Sequence, residues 1–320
     1  MARAGIGQEE FTDFLKWCLP RLGLRWTGFR KVRGTVRKRL VRRLEALGLA
    51  DVAAYRARLE RDPSEWSELD RICRIPISRF YRDRGVHDAL AALVLPACAA
   101  AARRRGDGVV WVLSAGCASG EEPYTINLIW RLGLQARHPG VRLRIVALDI
   151  DEGMLRRADL ACYAASSLRD MPGALRERGF SRTDGQYCLR DGYRRGVRFE
   201  RGDLREGVPA GPFDLILCRN AAFTYFDPAV QQAAFSGLDA ALRDGGFLVL
   251  GAHESLPAGA CGYARLRPGL PVFRKTPVGR PARVTAAPGW RAGDRGRAPR
   301  PPGGSGGRCR NRGSGPRPPR

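Results

Sequence analysis

The chain has 320 residues, 44% of them hydrophobic and 28% charged, enough apolar material for one large domain or two modest ones and too much for a chain disordered throughout. Its 56 Lys and Arg against 32 Asp and Glu leave a formal net charge of +24, which favours acidic partners, whether carboxylate-rich protein surfaces, nucleic acid or anionic lipid, and says nothing about fold. Residues 276–320 hold eleven Arg and one Asp, +10 of that total, so residues 1–275 keep +14 and are basic in their own right.

The N-terminus, MARAGIGQEEF, lacks the apolar core of a signal peptide, and no run of about 18 apolar residues follows anywhere. The expectation is a cytoplasmic protein. Nine cysteines lie scattered with no CxxC pair and an odd total, as in a reducing compartment. The three histidines, His87, His138 and His253, are not grouped with Cys or carboxylates at ligand spacing, so no metal site is expected.

Residues 9–60 read as helices. In TVRKRLVRRLEAL, Val36, Leu40, Leu44 and Leu47 recur at helical spacing while Arg37, Lys38, Arg39, Arg42 and Arg43 cover the other faces. Such a helix either presents a solvated charged face or docks an acidic partner. From Val109 the texture changes: VVWVLS, a helix from Glu121, VRLRIVALDI, a helix around Glu152 to Ala158, then FDLILCRN, a helix near Pro228 to Leu242, and GGFLVLGAHE. Strands alternating with helices predict a doubly wound α/β domain with a parallel sheet covered on both faces. Residues 160–200 break the alternation; in YCLRDGYRRGVRFERGD a DG pair between strand-like segments suggests a small antiparallel hairpin inserted in that domain. The stretch from Thr276, rich in Pro, Gly, Ser and Arg, has almost nothing to bury and reads as disordered.

In open α/β sheets ligands bind beyond the carboxyl ends of the strands, where LSAGCASGEEPY (113–124) follows the first strand. Gly116 and Gly120 allow close approach of a ligand, but the dinucleotide pattern GxGxxG is absent. Adjacent glutamates are unfriendly to a pyrophosphate and welcome positive charge. S-adenosylmethionine, with a sulfonium and an amino group and no phosphate, suits them, with Glu122 as candidate for the amino end; the alternative is that Glu121 and Glu122 only complement a helix N-terminus. Asp149, at the end of ALDID, is placed to accept the ribose hydroxyls of a nucleoside, or to cap a helix.

Taken in order, SRFYRD (78–83), WVLSAGCASGEEPY (111–124), ALDID (147–151), FDLILCRN followed by YFD (213–227) and LRDGGFLVLGAHESL (242–256) resemble the signature blocks of the chemotaxis receptor methyltransferase family, CheR, over about residues 9–275. The resemblance implies a helical N-terminal domain and linker (1–90), then a Rossmann-like class I methyltransferase domain (91–275) carrying a small β-subdomain at about 160–200. It implies methyl transfer from S-adenosylmethionine to glutamate side chains of an acidic, helical, chemoreceptor-like protein. Carried over by motif, Ser78, Arg82, Glu122, Asp149, Asp203, Leu204, Arg219 and Asn220 would line the cofactor site beside Gly116, and Arg82 and Tyr225 would stand nearest the transferred methyl. Four residues, Ala221 to Thr224, separate Asn220 from Tyr225 where the family usually has three, and Tyr81 stands where it usually has Phe. Two other readings stay open: a related methyltransferase with a different acceptor, and a non-catalytic cofactor-binding module whose basic tail tethers an acidic partner or, non-specifically, nucleic acid.

Overall fold

The computed structural model describes residues 6–276; apart from Thr276, the tail read as disordered lies outside the described residues. Helices α1 (Gln8–Cys18), α2 (Trp26–Phe29), α3 (Arg33–Leu47), α4 (Val52–Arg61) and α5 (Glu65–Cys73) form a helical lobe with its own core of Phe11, Leu15, Leu40, Leu44, Tyr55, Leu59 and Leu69. Local signals set its limits. Gly48, in the left-handed region (φ 66°), ends α3, and the Asp51 carboxylate accepts the Ala54 amide at 2.8 Å to start α4.

The basic helix is α3, with Val36, Leu40 and Leu44 buried as its periodicity requires. Its charged face is only partly available. Arg43 makes two hydrogen bonds to the buried Glu65 (2.9 and 2.6 Å), Arg39 donates to the carbonyls of Ile72 and Arg74, and Arg37 donates to that of Ile6. Lys38 and Arg42 remain exposed.

Helices α6 (Arg84–Ala89) and α7 (Leu95–Arg105) join through a π turn at Leu90–Val94 into one 22-residue helix that is long and apolar enough to cross a membrane. One side of it is already committed: Val86, Leu90, Val94, Leu95, Cys98, Ala99 and Ala102 are buried in the core of the sheet. Phe80 and Tyr81, from the stretch read as helical domain and linker, belong to that same core.

The main sheet runs β6–β2–β1–β7–β8–β10–β9, built from β1 (Val109–Ala115), β2 (Arg142–Asp149), β6 (Val197–Arg201), β7 (Phe213–Cys218), β8 (Leu242–Leu250), β9 (Tyr263–Arg265) and β10 (Val272–Lys275). The first five are parallel, and only β10 and β9 join antiparallel at one edge. The central strands β1 and β7 are nearly continuous runs of buried residues, as expected of strands covered on both faces by α8 (Glu121–Ile129), α9 (Glu152–Leu160), α12 (Pro228–Ala241) and the long helix. Strand order reverses between β1 and β7, which places a crevice at their carboxyl ends.

The inserted subdomain is a three-stranded antiparallel sheet, β3–β5–β4, from β3 (Cys162–Tyr163), β4 (Phe180–Thr183) and β5 (Gln186–Leu189), with α10 (Gly173–Gly179) between its first two strands. The hairpin turn is Asp184–Gly185, both residues at positive φ (49° and 74°), as a two-residue turn of this hand demands. The later pair, Asp191–Gly192, to which the sequence pattern pointed, instead opens a 3-10 turn that leads into β6 of the main sheet. Antiparallel register sets Cys162 opposite Cys188, and the two form a disulfide across 26 residues of chain, a pairing that the scattered cysteine spacing and the expected reducing compartment do not suggest.

Candidate active site

A cavity opens at the switch point, between the carboxyl ends of the parallel strands and the helical lobe. Ser78, Arg82, Gly116, Glu122, Asp149, Asp203, Leu204, Arg219, Asn220 and Tyr225 all line it, although they come from five separate segments of chain. One α/β crossover after another delivers a loop to the same end of the sheet.

The two adjacent glutamates diverge. Glu121 turns inward, 2% exposed, taking the Ser119 hydroxyl on both oxygens (3.1 and 3.0 Å) and lying beside Ser78; burial pushes its pKa up. Glu122 faces the cavity, accepting from Ser114 Oγ at 2.7 Å and from Arg219 Nη1 at 3.1 Å. A carboxylate has about four lone-pair sites, so two on Glu122 remain for a ligand. Asp149 accepts the backbone amides of Ala118 (2.7 Å) and Asp151 (2.9 Å), one on each oxygen, and burial raises its pKa above the ordinary range. Gly116 has φ 82°, and a Cβ there would meet Ala221 Cβ at 2.9 Å, so both backbone and space require glycine.

Five arginines border the cavity, and four are spent in ion pairs: Arg74 with Asp70, Arg79 with Asp170, Arg205 with Asp70 and Asp203, and Arg219 with Asp83 and Glu122. Arg82 alone of the five has no carboxylate partner among the described residues; its Nη1 donates only to the Ile77 carbonyl at 2.8 Å. Its backbone is held under strain. Tyr81 and Asp83 on either side adopt left-handed conformations (φ 59° and 61°), costing roughly 1–2 kcal/mol each for non-glycine residues. The restraints are the Tyr81 hydroxyl on Asp88 (2.9 Å) and the second amino group of Arg219, which reaches both the Arg82 carbonyl (2.9 Å) and Asp83 (2.7 Å).

Tyr225 ends a single helical turn, α11 (Ala222–Tyr225), that the helical lobe grips from outside. Arg25 Nε donates to the Thr224 carbonyl at 3.1 Å, the Arg25 amide donates to the Tyr225 carbonyl at 2.8 Å, and Phe29 meets the Tyr225 ring edge-on at 5.2 Å. Burial raises the Tyr225 pKa, and the nearby Arg82 charge opposes the rise.

Compared with known proteins, residues 77–266 match the model of the CheR methyltransferase SAM-binding domain, and residues 30–70 match that of the CheR methyltransferase all-alpha domain. The chain belongs to the CheR methyltransferase family. It is similar to the chemotaxis protein methyltransferase of Listeria monocytogenes (31% identity over 198 residues, 62% of this chain and 72% of that one) and to chemotaxis protein methyltransferase 2 of Vibrio cholerae (32% over 257 residues, 78% and 87%). It also matches an uncharacterized 104.1 kDa protein of Rhodobacter capsulatus at 33% identity over 223 residues, 70% of this chain but only 23% of that longer protein.

As a CheR-type methyltransferase the chain uses S-adenosylmethionine, and the donor set fits that group. Two acids with open acceptor sites, Glu122 and Asp149, suit an ammonium and a ribose diol, and Arg205 and Arg219 beside them are already paired with carboxylates.

Sequence reasoning missed the supports around this site. Arg25 and Gly28 of the helical lobe and the Asp70–Arg205 ion pair carry no local motif, and the role of the buried Glu254 was passed over. Glu254 alone lay inside a recognised block, LRDGGFLVLGAHESL, where a glutamate beside apolar strand residues was the available signal.

Proposed function

We propose that the chain transfers the methyl group of S-adenosylmethionine to glutamate carboxylates of an acidic, helical protein of the chemoreceptor kind, in the cytoplasm. The observation that carries this reading is Arg82, the one cavity arginine without an internal carboxylate among the described residues, at the cavity wall and close to Tyr225. When bound, the cofactor supplies an electrophilic methyl on a sulfonium. A glutamate carboxylate with a pKa of about 4.3 is already ionised at neutral pH, so no general base is needed and the protein's part is placement. Arg82 orients the incoming carboxylate with its guanidinium fork, and Tyr225 closes the wall beside it. Glu122 and Asp149 hold the two ends of the cofactor, with Asp203, Leu204 and Asn220 along the same wall. The exposed Lys38 and Arg42 of α3 attract an acidic helix to the same lobe.

The test is transfer of labelled methyl to candidate acceptors, followed by mild alkali. Release of the label as methanol marks a carboxyl ester, and its loss on Arg82→Ala with cofactor affinity retained supports the assignment. Alkali-stable label would mean another acceptor chemistry. A folded protein that binds cofactor but labels nothing would favour a regulatory module.

A further inference from the structure

Glu254 lies just past β8, 8% exposed, and does not line the cavity. Its Oε2 accepts the backbone amides of Asn220 (2.9 Å) and Gly251 (2.6 Å), and its Oε1 accepts the hydroxyl of Thr224 (2.5 Å). One buried carboxylate thus joins the end of β8, the first residue beyond Arg219 and the residue before Tyr225. The fit is close: a Cβ on Gly251 would come 2.7 Å from Glu254 Oε2 and 2.9 Å from Asn220 Oδ1. The backbone it braces is one that would not persist by itself. Asn220 is left-handed (φ 54°) and Ala221 lies at φ −124°, ψ −103°, so the chain leaves β7 through two successive unfavourable conformations before α11 forms.

We propose that Glu254 is a positioning residue that fixes the 220–225 turn, tying the cofactor wall at Asn220 to the acceptor side at Tyr225 through the Thr224 hydroxyl. This rests on the reading of Tyr225 as the residue beside the reacting carboxylate. Asn220 is held through its backbone amide, which leaves its side chain free for the cavity. Tyr225 is held through its neighbour, which leaves its ring free to pack on Phe29. Neither Glu254 nor Thr224 touches the reacting groups in this scheme. Removing the Thr224 link therefore loosens the turn and leaves the cofactor wall in place.

The experiment compares full-length Thr224→Val, Thr224→Ser and wild type, reading backbone hydrogen exchange of the peptide spanning 219–226, affinity for S-adenosylhomocysteine, and kcat and KM for methyl transfer. Losing one hydrogen bond to a buried charged group predicts about tenfold faster exchange and about tenfold lower kcat in Thr224→Val, with S-adenosylhomocysteine affinity within about twofold of wild type. Thr224→Ser, which keeps the hydroxyl, is expected to match wild type, and Glu254→Gln, still able to accept both amides, is expected to fall between them. Unchanged exchange in Thr224→Val, or a Thr224→Ser protein as impaired as Thr224→Val, overturns the proposal. A wild-type protein that methylates no carboxylate would be a failure of the proposed function, and the exchange comparison would still decide the brace.

Discussion

Arg219 meets Glu122 at 3.1 Å from a position only 3% exposed, and its other amino group meets Asp83 at 2.7 Å. The arginine is therefore a strut for both acids more than a hand for the ligand. Arg219→Leu strands two carboxylates and is expected to cost about 3 kcal/mol or more, read as a lower urea midpoint, with Arg219→Lys recovering part of it. Glu122→Gln keeps the shape of the side chain but removes the charge facing the cofactor's ammonium. It is expected to weaken cofactor binding by about tenfold or more in calorimetric titration and, because Arg219 keeps Asp83, to lower the urea midpoint less than Arg219→Leu does.

Asp149 should give cofactor binding a pH dependence. Burial raises its pKa, so its carboxylate protonates at a higher pH than an ordinary aspartate and loses the ability to accept two ribose hydroxyls. Affinity is expected to fall as pH drops through that raised value. Asp149→Asn should bind weakly with this dependence removed; a wild-type affinity that stays flat down to the ordinary aspartate range would contradict the assignment.

His87 should govern part of the acid stability. It is 1% exposed, stacked on Tyr81, and burial drives its pKa down from 6.5 to about 3, with Arg219 adding to the effect. The folded protein keeps the ring neutral while the unfolded chain takes up a proton below 6.5. Stability from this site is complete above that value and declines by about 1.4 kcal/mol per pH unit as pH falls towards 3. His87→Phe keeps an aromatic ring on Tyr81 and should flatten that part of the stability profile between pH 6 and 4.

Gly28→Ala tests the grip of the helical lobe on the turn. A Cβ there would lie 2.3 Å from the Thr224 carbonyl oxygen, a backbone atom that cannot swing aside. The substitution is expected to cost roughly 2–4 kcal/mol and to lower kcat with little change in cofactor affinity, since it displaces α11 and leaves Asp149 and Glu122 alone.

The alternation of short apolar runs with helical segments made the parallel sheet legible, because strands buried on both faces have no other way to look. Asp149 and Glu122 stood out for a related reason, their place at or beyond a strand end, whereas Arg219 came only with the family resemblance; all three line the cavity. The hairpin was placed too late because two DG pairs lie seven residues apart and only one, Asp184–Gly185, has strands of matching register on both sides. Cys162 and Cys188 looked unrelated until antiparallel pairing set them face to face. Arg25, Arg205 and Glu254 act on partners 199, 135 and 34 residues away, distances over which no periodicity or spacing rule reaches.

Asp70 of the helical lobe shares Arg205 with Asp203 of the loop after β6, just as Gly28 makes room for Thr224. The chain reads as two family segments end to end, yet neither can be inherited alone. A chimera that took residues 1–76 from one relative and the remainder from another would have to bring matched residues at both seams, or leave Arg205 with an empty hand and the turn before Tyr225 pushed out of place. What looks like a joint between interchangeable parts is, in this protein, a shared wall.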